Sequence, residues 1–175
     1  RTNEASINDQ SKPFRQRSSR LGDIVNSDPQ LIHKQNFNYG QLGWADNAGT
    51  AYTNFRASNA YQNRKPLIVV GANDGMLHGF DANISDTPSA NGGKELFAYV
   101  PSAVFNNLIK LTEPNYSHRY YVDGTPRVAD AWLGAGSGWK TMAIGTTGAG
   151  GKSVFALDIT DPSNMSASNV KWEFT

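Results

Sequence analysis

Residues 66–82 read Pro-Leu-Ile-Val-Val-Gly-Ala-Asn-Asp-Gly-Met-Leu-His-Gly-Phe-Asp-Ala. The β-branched run before Asn73 and the apolar residues after Gly75 predict two strands, because β-branched side chains favour extended backbone. The Asp74-Gly75 pair between them predicts a tight hairpin turn, in which the glycine takes a positive φ. A polar stretch then leads to Lys-Glu-Leu-Phe-Ala-Tyr-Val at residues 94–100, which predicts a third strand. This segment therefore indicates consecutive antiparallel strands.

The same pattern recurs in the second half of the chain. Leu77–Ala82 aligns with Val154–Ile159, 77 residues further on, and Lys94–Ala98 aligns with Lys171–Thr175 at the same spacing. Each unit also begins with Val-x-x-x-Pro, at Val25–Pro29 and at Val122–Pro126. Four antiparallel strands per repeat are typical of a β-propeller blade. Two blades cannot close a ring, so we expect the chain to be a fragment of a larger propeller.

The fold class predicted is mainly β, a partial β-propeller of about two four-stranded antiparallel blades with a short inserted helix and long loops. The first unit covers about residues 21–99, with an insertion at 34–65, and the second unit covers about residues 119–175. Between the units, residues 100–118 form a helical insertion. Residues 1–20 are polar with spaced cations, which predicts a linker or extended lead-in.

The prediction of a helical insertion rests on the spacing of its apolar residues. Within Ser102–Leu111 these residues recur at helical intervals, with Ser102 as the cap and Pro114 as the stop. In the earlier insertion, residues 51–59 have room for at most two helical turns. The segments around Pro29 and Pro126 are expected to be strands.

Composition excludes several classes of function. The chain has 175 residues with a formal net charge of +1, so no strongly charged surface indicates nucleic acid as a partner. No apolar run approaches the roughly 20 residues that a membrane-spanning helix needs. The absence of cysteine excludes disulfides, thiolate chemistry and cysteine-based zinc sites.

No motif predicts catalysis, and we assign no catalytic, cofactor-binding or metal-binding residues. The glycine-rich stretch Gly145–Ser153 lacks the first glycine of a phosphate-binding loop and is followed by a strand pattern, so a wide hairpin turn is favoured. Asp81–Asp86 places oxygens at alternate positions, but Gly92 stands where a calcium loop needs a bidentate glutamate. Asp81 and Asp158 are expected to accept backbone hydrogen bonds after their strands. His78 is expected to pack within a strand.

An interaction surface is predicted around residues 115–121, which hold three tyrosines, a histidine and an arginine. Aromatic residues and arginine are enriched among side chains that dominate binding energy. The candidates are Tyr116, His118, Arg119 and Tyr121. The alternative is structural, with Tyr120 and Val122 packing into the blade and Tyr121 facing out.

Several segments together resemble the type IV pilus tip adhesin and assembly factor family (PilC/PilY), whose propeller is of the quinoprotein type. The amino-acid sequence of residues 70–82 and 94–102 carries the resemblance. Three further segments support it: 20–29, 115–124 and 148–162. The resemblance covers most of residues 20–162, and the chain is similar to the opening part of the family's C-terminal propeller.

The resemblance implies an exported bacterial protein at the pilus tip, the cell surface or the periplasm and outer membrane. It implies a non-enzymatic propeller that binds pilus tip or minor pilin proteins, and possible contact with a host surface. Pilus assembly, twitching motility and adhesion would be its roles, without nucleic acid and without membrane insertion. The family's Ca²⁺ site belongs to a later blade and has no counterpart here, so no cofactor is assigned to this segment.

Two other functions share the propeller pattern. A quinone-dependent dehydrogenase holds its cofactor and calcium at the propeller centre, and a non-pilus scaffold of envelope assembly would also act by binding. Quinone absorbance with alcohol oxidation would favour the first, whereas normal pilus numbers without the protein would favour the second. Apolar strand edges further suggest that the segment is stable only within a longer chain, which a cooperative urea transition of the segment would contradict.

Overall fold

The computed structural model describes residues 14–17, 19–43, 46–84 and 92–175. Two four-stranded antiparallel sheets make up its β-structure, and in each sheet the strands are adjacent in the order of the chain. The mainly β fold with two propeller blades, expected from the internal repeat, is therefore confirmed.

Blade 1 is the sheet formed by the first half of the chain. Its strands are β1 (Gln30–Ile32), β2 (Leu67–Ala72), β3 (Met76–Asp81) and β4 (Glu95–Tyr99). Ala72 of β2 pairs with Met76 of β3, which leaves Asn73–Gly75 as the turn. Gly75 has a φ of 96°. The predicted tight hairpin with glycine in the left-handed region is confirmed.

Blade 2 repeats this arrangement in the second half. Its strands are β5 (Arg127–Trp132), β6 (Trp139–Thr146), β7 (Val154–Asp158) and β8 (Val170–Phe174). The insertion between β1 and β2 contains helices α1 (Ala48–Ala57) and α2 (Asn59–Asn63). 3-10 helices occupy Tyr39–Gln41, Ser102–Thr112, Gly148–Gly150 and Ala167–Asn169, of which the second is the longest with 11 residues.

The main core lies between the two blades. Because side chains alternate along a strand, one face of each sheet is apolar and the two apolar faces pack together. Blade 1 contributes Leu67, Val69, Leu77 and Phe97 to this core, and blade 2 contributes Ala143, Phe155 and Leu157. Burial of each large apolar side chain contributes about 1.5–3 kcal/mol, so this contact is the main force that holds the blades together.

The two Val-x-x-x-Pro segments are lead-ins to the first strand of each blade. Pro29 directly precedes β1 and Pro126 directly precedes β5. The lead-ins bind each other: the Asn26 side-chain amide donates to Asp123 at 2.6 Å and the Asp28 backbone N–H donates to the Thr125 hydroxyl at 3.0 Å. The expected strands begin only after the prolines, at Gln30 and Arg127, because the N–H groups of the lead-ins bond mostly to side chains and turns and form no continuous ladder with a strand.

The inserted helix differs from its prediction in type and in capping. Residues 102–112 form a 3-10 helix in which Val104 is buried while Phe105 and Ile109 are exposed. Ser102 does not cap it, because its hydroxyl donates to Glu173 of β8 at 2.9 Å. The first insertion holds more helix than expected, since α1 and α2 together cover most of residues 48–63.

Asp81 and Asp158 are the last residues of equivalent strands and have the same structural role. Asp81 accepts a hydrogen bond from the backbone N–H of Asn83 at 3.0 Å, and Asp158 accepts one from Thr160 at 3.1 Å. The turn role predicted for both is confirmed. The alternative calcium loop at Asp81–Asp86 lies partly outside the described residues, and so does most of the predicted lead-in 1–20.

Candidate functional site

The β2–β3 turn of blade 1 binds parts of the chain on either side of it. Asn73 donates its backbone N–H to the Asp23 carbonyl at 2.9 Å and accepts from the Tyr121 N–H at 3.0 Å through its side-chain oxygen. Gly22 donates its N–H to the Asp74 carboxylate at 2.8 Å. These bonds bring the lead-ins of both blades to one end of blade 1.

A cleft of about 410 Å³ opens at this end, and we call it the arginine cleft. Its positive wall comes from the segment before blade 1, and its other wall comes from the turn and the end of the 3-10 helix. The lining residues are Arg15, Gln16, Arg17, Ser19, Arg20, Leu21, Gly22, Asp23, Asn73, Asp74, Leu111 and Tyr116.

Arg15 is held in place at the cleft wall. Its Nε donates to the Leu111 carbonyl at 2.6 Å, and its guanidinium carbon lies 3.9 Å from the centre of the Tyr116 ring. The Tyr116 hydroxyl in turn accepts the Arg119 backbone N–H at 3.1 Å. A cation over an aromatic face is attracted to the ring, so Arg15 and Tyr116 form a preorganised pair.

The charges of Arg15 and Arg20 are not balanced by the two carboxylates that line the cleft. Arg15 and Arg20 form no ion pair within the described parts of the chain, and Arg20 is exposed. Asp23 instead contacts His118 Nε2 at 2.6 Å, and Asp74 contacts His78. The cleft therefore has an excess of positive charge.

Both carboxylates are stabilised in their ionised form. Burial by itself raises the pKa of Asp23 and Asp74, but hydrogen bonds outweigh it and hold both pKa values below their usual range. For Asp23 the donors are His118 and Asn73, and for Asp74 they are led by His78. These acids are thus occupied by internal partners.

The structure places three of the four predicted surface residues at or beside the arginine cleft. Tyr116 lines it, while His118 and Arg119 are exposed next to it. That these residues form an interaction surface stays a prediction. The expected outward orientation of Tyr121 is wrong, because its side chain is 1% exposed and its hydroxyl donates to the Asn107 carbonyl at 2.9 Å. Tyr120 is the exposed neighbour, at 41%.

Sequence reasoning missed the contribution of the arginines. Arg15, Arg17 and Arg20 fall in the segment interpreted as a lead-in, where spaced cations next to polar residues are typical of solvated chain. Their role depends on where the 3-10 helix ends, since its last carbonyl groups hold Arg15. The only sequence feature that points to these residues is the high frequency of arginine directly before the first blade.

His78 lies on β3 behind the cleft and bridges two carboxylates. Its Nε2 is 3.1 Å from both Asp74 oxygens and its Nδ1 is 2.5 Å from Glu95 Oε1. Burial alone lowers the pKa of His78, but the bonds to Asp74 and Glu95 outweigh burial and raise it above the ordinary 6.5. The imidazole thus connects the turn to β4, and its expected place within a strand is confirmed.

This network predicts a dependence of stability on pH. Because the folded pKa of His78 is raised, its stabilising effect is complete below about pH 6.5 and is lost as the pH rises through the folded value. We expect the free energy of unfolding to fall as the pH rises above about 6.5, and the fall to be smaller in His78→Gln. At about pH 6 that variant should also be less stable by about 1–2 kcal/mol. Urea unfolding at several pH values measures both effects.

His33→Gln is the control for this prediction. Burial and nearby cations lower the pKa of His33, so this residue contributes a change of the opposite sign. The fall in stability should persist when His33 is replaced. An equal fall in His78→Gln and in the parent would contradict the role of His78.

The cleft is suited to binding an anionic group beside an aromatic ring. Guanidinium groups match carboxylates with two parallel hydrogen bonds, and the Tyr116 ring adds apolar contact area. Within the described ranges, no three side chains of the metal-binding types are grouped so as to hold a metal ion. No described helix has the length and apolar character to cross a membrane.

Comparisons with a family model and with known proteins point to the same family. Residues 21–175 match the model of the PilY1 beta-propeller domain. The type IV pilus biogenesis factor PilY1 homolog of Xylella fastidiosa is 47% identical over 154 residues, which is 87% of this chain and 12% of that protein. Type IV pilus biogenesis factor PilY1 of Pseudomonas aeruginosa is 45% identical over 163 residues, which is 91% of this chain and 13% of that protein.

A solved structure supports the same likeness. The crystal structure of the Pseudomonas aeruginosa PilY1 C-terminal domain superposes with a TM-score of 0.55 at 39% identity, over 82% of this chain and 24% of that one. The chain thus spans about an eighth of the length of the curated relatives it matches.

Proposed function

The chain belongs to the PilY1 β-propeller domain family, and on this premise we propose that it supports type IV pilus assembly by binding another pilus protein through the arginine cleft. The relatives are type IV pilus biogenesis factors by name. A factor of this kind acts at the cell envelope or surface. We further propose a place at the pilus tip, minor pilins as partners, and roles in twitching motility and adhesion.

One observation carries the binding role. Arg15 is fixed against Tyr116 at the rim of an open cleft without a carboxylate partner among the described residues. Holding a cation in place before a partner arrives reduces the entropy lost on association. Arginine and tyrosine are also the residue types that most often dominate interface energies. The site is therefore better suited to recognition than to a structural ion pair.

The experiment is a count of surface pili in a bacterium that makes this protein. In one strain the chromosomal copy lacks residues 21–175, and an immunoblot confirms that the remainder is made and exported. We expect surface pili to fall to a small fraction of the parental number and twitching zones to shrink accordingly. Normal pili and twitching despite loss of the segment would overturn the proposed role in assembly.

A point variant separates binding from folding in the same assay. Tyr116→Ala removes the ring that holds Arg15 and leaves the apolar core between the blades untouched. The matched control is Tyr120→Ala, which removes an exposed tyrosine that does not line the cleft. Fewer pili in the first strain than in the second would support the cleft as the contact.

A further inference from the structure

The excess positive charge of the cleft indicates the chemistry of its occupant. Arg20 is exposed and makes no hydrogen bond or ion pair within the described ranges. Arg15 uses its Nε on a carbonyl oxygen and its face on a ring, and among the described residues no carboxylate pairs with Arg15 or Arg20. Asp23 and Asp74, which line the same cleft, are occupied by histidines.

We propose that the arginine cleft binds an acidic peptide segment of a partner protein. Carboxylates of the peptide would contact Arg15 and Arg20, and an adjacent peptide side chain would pack on the ring of Tyr116. This inference rests on the proposed function, because it names the chemistry of the partner at that same site. Two guanidinium groups at one cleft favour a segment with at least two neighbouring acidic residues. The ring of Tyr116 supplies apolar contact to the chain between them.

The size of the cleft and the surrounding charges favour a peptide over a nucleic acid. A volume of about 410 Å³ is near the lower end for binding sites and suits a short piece of chain. A nucleic acid would need a basic surface that follows several phosphates, whereas this chain has a net charge of +1.

The test measures binding of a fluorescein-labelled hexaglutamate peptide to the protein by fluorescence anisotropy. Hexaglutamate is expected to bind and hexaglutamine is not, and binding should weaken as NaCl is raised because partly exposed charges are screened. In Arg20→Gln the dissociation constant should rise about five-fold or more, since a charge-assisted contact is lost. Arg20 makes no internal bond in the described structure, so this variant should fold normally.

Two further variants sharpen the result. Arg15→Lys keeps the charge and removes the planar fork over Tyr116, and it should weaken binding by a smaller factor than Arg15→Gln. Lys34→Gln is the control for net charge, because Lys34 is exposed and follows β1, at the opposite end of blade 1 from the turn. We expect it to bind hexaglutamate as the parent does.

Specific outcomes would overturn the proposal. Equal binding of hexaglutamine, or unchanged binding in Arg20→Gln, would exclude recognition of carboxylates by the cleft. Displacement by inorganic phosphate at equal concentration, or tighter binding of oligothymidylate than of hexaglutamate, would assign the cleft to phosphates. These results are separate from the pilus count: normal pili with intact peptide binding would refute only the assembly role, and lost pili without peptide binding would refute only the acidic partner.

Discussion

Replacement of Asp130 by alanine is expected to lower the free energy of unfolding by about 3–5 kcal/mol, because it removes one partner from a buried polar cluster. Asp130 lies on β5 and is 3% exposed. Its Oδ2 accepts a hydrogen bond from the Tyr52 hydroxyl at 2.9 Å, and its Oδ1 accepts one from the Thr141 hydroxyl at 2.6 Å. Burial raises the pKa of Tyr52, which keeps this hydroxyl protonated as a donor.

Arg64 makes the loss of Asp130 costly. The guanidinium is buried over the Tyr61 ring at 4.0 Å, and its Nη1 donates to the Thr141 hydroxyl at 2.5 Å. The same Thr141 hydroxyl donates a hydrogen bond to the Asp130 carboxylate, so Thr141 links Arg64 to Asp130. Two other nitrogens of Arg64 have no hydrogen-bond partner within the described structure. Without the Asp130 carboxylate, the Thr141 hydroxyl and the Tyr61 ring would be the contacts left to offset the cost of burying the Arg64 charge.

Urea unfolding followed by tryptophan fluorescence measures this effect. Trp139 is a local reporter, because its ring centre is 4.6 Å from that of Tyr52. Asp130→Asn should be less destabilising than Asp130→Ala, since an amide oxygen still accepts one hydrogen bond. Asp28→Ala is the surface control, because Asp28 is exposed, and it should change stability by no more than about 0.5 kcal/mol. An equally small change in Asp130→Ala would show that the hydrogen bonds to this carboxylate contribute little to stability.

The blades were predictable from sequence because their signals are local. The Asn73–Gly75 turn lies between two strand patterns, and the repeat of those patterns 77 residues later indicates a second blade before any contact is known. The same holds for Asp158, whose turn role follows from its place after an apolar alternation. Strand periodicity and turn chemistry act within a few residues, so they can be recognised in one sequence.

The site was less predictable because it depends on contacts between distant segments. Tyr121 was expected to face out on the assumption that residues 120–122 alternate as a strand. Its backbone instead bonds to Asn73, 48 residues earlier, and the 3-10 helix covers its ring. Asp130 likewise looks like one polar residue in a strand, and its partner Tyr52 is 78 residues away. Such pairings come from packing, for which a single sequence contains no local signal.

Replacement of Gly71 by alanine is expected to lower the free energy of unfolding by about 2–3 kcal/mol through overpacking where the two blades meet. A Cβ atom on Gly71 would lie 2.4 Å from the Val122 carbonyl oxygen, which belongs to the lead-in of blade 2. That neighbour is backbone, and the Val122 N–H donates to the Ala72 carbonyl at 3.4 Å, so the segment cannot rotate away as a side chain would. Either the two blades separate slightly or β2 shifts from its register.

Gly136→Ala is the matched control for this change. Gly136 lies between β5 and β6, and nothing is within 4 Å of the Cβ position on it. The same methyl group there should alter stability by about 0.5 kcal/mol or less. Urea unfolding of both variants compares an added methyl group in open space with one at the junction between blades. If Gly71→Ala were as stable as Gly136→Ala, the close approach of Val122 would contribute little to the packing of blade 2 on blade 1.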